Sequence, residues 1–594
     1  MILQELTVKE VEEGELYYRK ENNIEICEGK LTFTKDAKLK TNTYFNSFSI
    51  EKWNEFCDLK RINLRISYSG KFHLKVHQAH IVNDELQETV ICDNILKSNV
   101  LDDFIYTFSS DIKGVVYYEL TAIEDESVLC YAFYEGEIKK ERDVKIALNI
   151  CTYNREKFLF KNLFLLKQNF LENSDSCLVN HLKIFITDNA STWDIEKYTN
   201  QDIFIFHNPN EGGAGGFTRG LIEINKRKEE FGITNVIFMD DDVEIEPEAL
   251  VRTYRFLKVL KEKYENSFLA GAMLRMDKKY IQHENGALWN GGNCSFINRG
   301  FDLRQFKNVV SNELEQKRDY AAWWYCCIPI AVVKTTNLPI PIFIHQDDTE
   351  FSLRNTDKII TLNGISIWHT ADDYVRLSSN EYYNLRNLLI VNARYCPEFN
   401  MYKVGRKALS KMLVALLRYR YKDMSLIYRA VKDFCKGPQW LIETDPEELH
   451  NELRELGYQF MDLSEEIQRL EIKQKKTETA SPFRAKKKQW TLKGILRLIL
   501  IIITANGWIL PAKKHEYHYM NVHPARLYRT GKVTLHDGIA RGIRVKREFA
   551  QIFVFFLLYV KIWKLLLSDY GTAKKEYHDE WERLINLNER ISPN

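Results

Sequence analysis

The stretch Ile237-Phe238-Met239-Asp240-Asp241-Asp242 decides how this chain is read. A short apolar segment of β character stops in three successive carboxylates, and Val243, Glu244 and a helix opened by Pro247 follow. An open α/β sheet places its ligand crevice outside the carboxyl ends of its strands. Two carboxylates there, shared by one hard cation, let a protein hold a metal that neutralises phosphate charge. The plainer alternative is a solvated acidic loop capping a helix over 248–264, since aspartates at a helix start are favourable anyway. The sequence on either side favours the metal.

Strand patterns over 145–150, 182–187, 202–207 and 235–239 alternate with helical ones over 158–168 and 217–228. That alternation predicts a largely parallel sheet with helices on both faces. Residues 1–143 read instead as short alternating segments separated by turn signals such as Ser69-Gly70, the pattern of a β-sandwich or barrel. From about Tyr382 helical patterns dominate, with a Lys-rich linker over 473–488. The expected division is a β module (1–143), an α/β catalytic domain (144–380) and a mainly helical C-terminal domain (381–594).

Composition narrows the class. The 594 residues are 45% hydrophobic and 13% aromatic, enough for full cores, and the formal charge of +2 gives no electrostatic reason to expect nucleic acid. Eleven cysteines without a CxxC pair suit buried thiols in a reducing compartment. Met1-Ile2-Leu3-Gln4-Glu5 lacks the basic start of a signal peptide, so a cytoplasmic location is expected. Two apolar stretches, 495–503 and 552–560, are interrupted by Arg497 and followed by Lys561 and Lys564 respectively. Neither is expected to reach the ~18–20 residues of a spanning helix. They read as core helices or, with Arg484, Lys486, Lys487, Lys488 and Trp490 ahead of the first, as a surface for peripheral docking on an anionic leaflet.

Four further motifs carry chemistry. Asn208-Pro209-Asn210-Glu211-Gly212-Gly213-Ala214-Gly215-Gly216 lies between a strand and a helix, where glycines let backbone approach a flat or anionic ligand. Arg219 in the helix that follows is available to a phosphate or ribose. No Gly-Lys-Ser/Thr follows, so this is not a Walker loop. Phe343-Ile344-His345-Gln346-Asp347-Asp348 is a second apolar segment ending in carboxylates, one a candidate general base and the other a helix cap. Ile367-Trp368-His369 supplies a possible third metal ligand, although a lone His on an apolar segment is more often a core residue. Trp323-Trp324 offers flat apolar surface for a sugar ring, or simply core.

In this order the pieces describe a nucleotide-sugar glycosyltransferase. The chain resembles the bacterial processive cell-wall galactofuranosyltransferases, inverting enzymes of glycosyltransferase family 2 with the GT-A fold. The resemblance rests on CTYNR (151–155), DNAS (188–191), NEGGAGGFTR (210–219), FMDDD (238–242), DYAAWWYCCIP (319–329), PIFIHQDDTEFSLR (341–354), IWH (367–369) and YYNLRNLLI (382–390), with TANGWILPAKKHEY (504–517) matching loosely. It implies an α/β architecture: a central Rossmann-like GT-A domain between an N-terminal β module and a helical C-terminal domain. It implies Mn²⁺ or Mg²⁺ on Asp240, Asp242 and His369, bridging the diphosphate of a UDP-sugar. Asp348 is implied as catalytic base, Asp347 as a sugar contact, and Trp323 and Trp324 as the acceptor platform. Thr152, Arg155, Asp188, Asn210, Gly212, Gly213, Arg219, Asp240 and Asp241 are implied to line the nucleotide pocket. Where the family carries a sugar-contacting Glu after a Gly, this chain has Gly286-Ala287, and the nearest acid, Glu284, is offset. The implied acceptor is a glycan or lipid-linked glycan reached from the inner face of the membrane, and a homo-oligomer would suit it. Transfer of rhamnose or galactopyranose is the alternative reading, and a non-catalytic glycan-binding scaffold a third. A sugar nucleotidyltransferase is disfavoured because Cys151-Thr152-Tyr153-Asn154-Arg155 stands where that class needs a Gly-rich triphosphate loop.

Overall fold

The apolar run that ends in the aspartates forms the strand Asn235–Asp240, inside a seven-stranded sheet. The computed structural model describes residues 1–27, 29–290, 293–371, 379–467, 469, 503–519, 523–536 and 541–586. They fall into two compact units, Met1–Ile340 with Asp347–Thr370, and Pro341–Gln346 with Ala371–Asn594.

In the first unit the sheet order is Ile203–His207, Leu182–Asp188, Ile146–Thr152, Asn235–Asp240, Cys326–Pro329, Phe268–Ala270, Ile359–Ile360. The first four strands are parallel, and Cys326–Pro329 runs antiparallel to both its neighbours. This is the GT-A arrangement, an α/β fold. The register sets Cys151 beside Asp240 and Thr152 beside Asp188, so the carboxyl ends of three strands converge. Beside this sheet, Glu244–Ile245, Ser366–His369, Ala272–Arg275 and Gln282–Glu284 make a smaller one.

The glycine run is not a loop. The helix opens at Gly212 and continues to Phe231, so the glycines form its first turns. Their reason is packing: a Cβ on Gly216 would stand 2.1 Å from Cys151 Sγ, and one on Gly220 1.9 Å from Asn149 Oδ1. Only glycine lets this helix lie so close to the strand Ile146–Thr152.

The N-terminal strands form one nine-stranded antiparallel sheet built around a long hairpin, Leu59–Val82 and Glu85–Thr107. Asn83 and Asp84 join them with φ of 49° and 63°, the double left-handed geometry that tight hairpin turns require. Ser69-Gly70 is no turn: the strand continues through it with a register shift, and Gly70 takes φ 96° as a bulge. Along its other edge Leu59–Val82 pairs first with Ser127–Ile138 and then with Val115–Ala122, so the sheet forks. The two arms meet over a shared core, where Phe33 packs edge-on to Phe72 and Tyr134 stacks on Phe48.

The second unit is mostly helical, but Met461–Asp462, Arg541–Lys546, Thr530–His536 and Lys513–Tyr519 add a four-stranded sheet that the helical patterns did not foretell. Within it Arg386 and Asn387 are buried and both donate to one segment. Arg386 Nη2 reaches the Ile342 carbonyl at 2.8 Å, and Asn387 Nδ2 reaches those of Ile342, Ile344 and His345 at 3.1, 2.6 and 3.0 Å. Phe343, His345 and Gln346 there hold φ of 72°, 66° and 71°, a strained geometry that persists only where partners fix it.

The expectation that neither apolar stretch reaches spanning length is corrected for the second. Ala550–Ser568 is a 19-residue helix, long and apolar enough by length and composition to cross a membrane. Phe555, Leu558, Ile562 and Leu566 are its buried stripe, while Phe553 and Leu567 are 77% and 69% exposed. The basic linker 473–488, Trp490 and residues 495–502 lie outside the described residues.

Candidate active site

The pairing of two short strands builds the acidic cluster. Glu244 lies opposite Trp368 in an antiparallel pair, which draws the residues before Glu244 alongside those after Trp368. Asp240, Asp242 and His369 consequently offer ligand atoms within 4.8 Å of one another, and His369 Nε2 is 3.0 Å from Asp242 Oδ1.

The chemistry of this donor set fits a divalent cation. His369 Nδ1 is 2.9 Å from the Thr370 carbonyl, which only accepts, so Nδ1 carries the proton. In the neutral ring Nε2 is then a lone pair facing a carboxylate oxygen, two acceptors reconciled by a cation between them. An imidazole tied through its other nitrogen to a carbonyl is the usual arrangement of a metal ligand. Ligands about 2.1 Å from a hard octahedral cation sit about 3 Å apart, as these two atoms do. Two carboxylates with one imidazole form a donor set for a divalent cation.

Asp241 turns the other way. It is buried and accepts from Thr152 Oγ1 at 2.7 Å and from Arg155 Nη1 at 3.2 Å. Asn162, a buried residue that the sequence reading passed over, donates to the carbonyls of Asp241 and Val243 at 3.1 and 2.9 Å and fixes the turn. Burial pushes Asp240 and Asp241 each up to about 6.

The second carboxylate pair opens the helix Asp347–Asn355 rather than preceding it. The Thr349 amide and hydroxyl donate to Asp348 Oδ1 at 2.6 and 3.3 Å, and the Tyr320 side chain steadies the same carboxylate. Burial pushes Asp348 up to about 6 and raises Asp347 as well, helped there by the charge of Asp348. Asp347 Oδ2 lies 3.9 Å from where a Cβ on Gly213 would stand, so the start of the glycine helix borders the pair.

Beside Asp348 stands a wall of Ala287, Tyr320 and Ala322, with Cys294 and Trp324 packed on it. Burial, then the charge of Asp348, pushes the Cys294 thiol up to about 12. Glu284, set aside in the sequence as offset, belongs here: it is buried, and both its charge and that of Asp348 act on Tyr320 and Cys294. Its signal was slight, a lone acid on a three-residue strand.

Several sequence expectations change. Trp323 is core, 4% exposed and stacked on Phe238 with ring centres 4.4 Å apart; only Trp324 reaches the site, its ring 6.3 Å from that of His369. Asp188 is fully buried and accepts from the amides of Ala190, Thr192 and Trp193, so it shapes its own loop. Thr152 is buried against Asp241. Arg219 Nε pairs with Glu223 at 3.1 Å. Asn210 accepts from the Gly212 amide at 3.3 Å, and Gly212 itself is buried.

The model for glycosyl transferase family 2 matches residues 148–265, the span that holds the parallel strands and the aspartate motif. Over those residues the chain is similar to the family 2 glycosyltransferases. Over a longer span the chain is similar to the galactofuranosyltransferase GlfT2 of Mycolicibacterium smegmatis, 24% identical over 436 residues, 68% of this chain and 65% of that protein. GlfT2 of Mycobacterium tuberculosis is 28% identical over 253 residues, 40% of this chain and 39% of its own length. The chain thus spans just under two thirds of the first of these relatives and about two fifths of the second. Among solved structures, the mannosyltransferase PcManGT of Pyrobaculum calidifontis, in complex with GDP-Man and Mn²⁺, covers 54% of this chain and 88% of its own at 12% identity. Its TM-score of 0.28 is too low for residue-by-residue comparison with the transferase domain.

Proposed function

We propose that this chain is an inverting, metal-dependent glycosyltransferase that moves galactofuranose from a UDP-sugar to a hydroxyl of a lipid-linked or polysaccharide acceptor in cell-envelope synthesis. The observation that carries this reading is the pairing of the Asp240–Asp242–His369 donor set with the Asp347–Asp348 pair, in one unit of the protein. The names of the relatives support the sugar.

Asp240, Asp242 and His369 would hold Mn²⁺ or Mg²⁺, and that ion, when bound, supplies positive charge against the donor diphosphate. Asp348 takes the proton of the acceptor hydroxyl as its oxygen bonds to the anomeric carbon and the bond to the diphosphate oxygen breaks. One displacement inverts the anomeric configuration and needs no protein nucleophile. Asp347, Glu284 and Trp324 line the sugar and acceptor side, with Gly213 leaving room beside Asp347.

The test is UDP release, with Mn²⁺ and a galactofuranose-terminated acceptor, from UDP-galactofuranose and UDP-galactopyranose in parallel. Release from the furanose donor alone is expected. Equal release from the pyranose donor, or release only with a rhamnose nucleotide, would overturn the sugar assignment.

The exposed face of Ala550–Ser568 is read as a peripheral membrane contact at the inner leaflet, which keeps a lipid-linked acceptor within reach. The protein is expected to sediment with anionic vesicles, and the double change Phe553→Glu, Leu557→Glu to leave it in the supernatant. Equal sedimentation of the variant would remove this helix from the account.

A further inference from the structure

Both oxygens of Asp242, a ligand in the proposed metal site, are engaged by the protein itself. Oδ1 faces His369 Nε2 at 3.0 Å, and Oδ2 accepts from Arg155 Nη1 at 2.5 Å. The same Arg155 nitrogen reaches Asp241 Oδ1 at 3.2 Å. The two carboxylates differ in their freedom. The Asp241 side chain is 6% exposed and also held by Thr152, while Asp242 and Arg155 stand at 18% and 44%. Asp241 is therefore a fixed anchor for the guanidinium, and Asp242 the partner open to competition.

Charge points the same way. Among the described residues, Asp240, Asp241 and Asp242 set three carboxylates against the Arg155 guanidinium at this turn, a balance that repels a diphosphate. A divalent cation brings the cluster to neutrality, and a guanidinium released from Asp242 is then well placed to meet a diphosphate with paired donors.

We propose that Arg155 is a counter-cation built into the metal site. It holds Asp242 while no divalent ion is bound, yields Oδ2 when one arrives, and turns about Asp241 toward the donor diphosphate. Metal and nucleotide binding are thereby coupled through one side chain. This inference rests on the metal-site reading above.

The test is a Mn²⁺ titration followed by electron paramagnetic resonance, on the full chain without nucleotide. Arg155→Gln is expected to bind Mn²⁺ roughly three- to tenfold tighter than the native protein. In the presence of Mn²⁺ its affinity for UDP is expected to fall. Arg155→Lys keeps the charge and should return toward native Mn²⁺ affinity. The control is Lys279→Gln, which removes the same charge from a residue 2.7 Å from Glu244 that touches none of the three ligands, and should change Mn²⁺ affinity little. Unchanged or weaker Mn²⁺ binding in Arg155→Gln, or a gain equal to that of the control, would overturn the role of Arg155. If the native protein and Asp242→Ala bind Mn²⁺ equally poorly, the metal-site reading fails instead, and the two failures are distinct.

Discussion

Asp348→Asn is expected to lower sugar transfer by about 10²- to 10⁴-fold while UDP still binds, because the change removes the proton acceptor and little else. Asparagine keeps the shape and can still accept from the Thr349 amide and hydroxyl, which hold Oδ1 in the native protein. The native pH profile should show its own mark. Burial pushes Asp348 up to about 6, so the carboxylate that acts as base is lost as pH falls through that value. Transfer should decline below about pH 6, with Asp347 titrating alongside as one buried pair. Stability runs the opposite way. A carboxyl whose pKa is raised on folding binds its proton more tightly in the native state, so its contribution to stability falls as pH rises from the ordinary carboxylate range to about 6. Asp348→Asn removes that burden, and its melting temperature at pH 7 should match or exceed the native one. Native-like transfer by the variant would exclude Asp348 as base, and a lowered melting temperature would show that the loss came from folding.

What the sequence discloses and what it hides follow from how many physical causes can give one pattern. An apolar run ending in acids has few, and FMDDD placed both the strand Asn235–Asp240 and the cluster beyond it. A glycine run has at least two. Gly216 and Gly220 are glycine because a strand lies against them, and nothing in their spacing separates that from an open ligand loop. The tryptophan pair was ambiguous for a related reason: adjacent side chains leave the backbone in different directions, so Trp323 enters the core and Trp324 the site. Asp188 and Asp241 look like ligands as letters, but their oxygens are satisfied by nearby amides, a hydroxyl and a guanidinium. Glu284 was hidden because a three-residue strand has no periodicity to place it. Ser69-Gly70 read as a turn because a bulge and a turn call for the same residue.

Asp242→Ala should produce the other large loss, and by a different route. Asp242 is shared by His369 through Oδ1 and Arg155 through Oδ2, so its removal takes away one ligand and unties an imidazole and a guanidinium. Of the three proposed ligands only Asp240 and His369 remain, and an open pair of donors binds a hard divalent cation poorly. The gain in UDP affinity that Mn²⁺ brings should therefore be lost, while the weak affinity measured with a chelator should hold or rise, because a carboxylate is gone and Arg155 is released from it. Transfer is expected to drop by about 10²-fold or more, since charge on the departing diphosphate is no longer neutralised. The contrast with Asp348→Asn separates the two halves of the site. One variant binds donor and does not transfer; the other fails at the donor step, and more Mn²⁺ should recover part of its activity. If UDP binding by the native protein is the same with Mn²⁺ and with chelator, Asp240, Asp242 and His369 are a polar cluster around Arg155 and not a metal site.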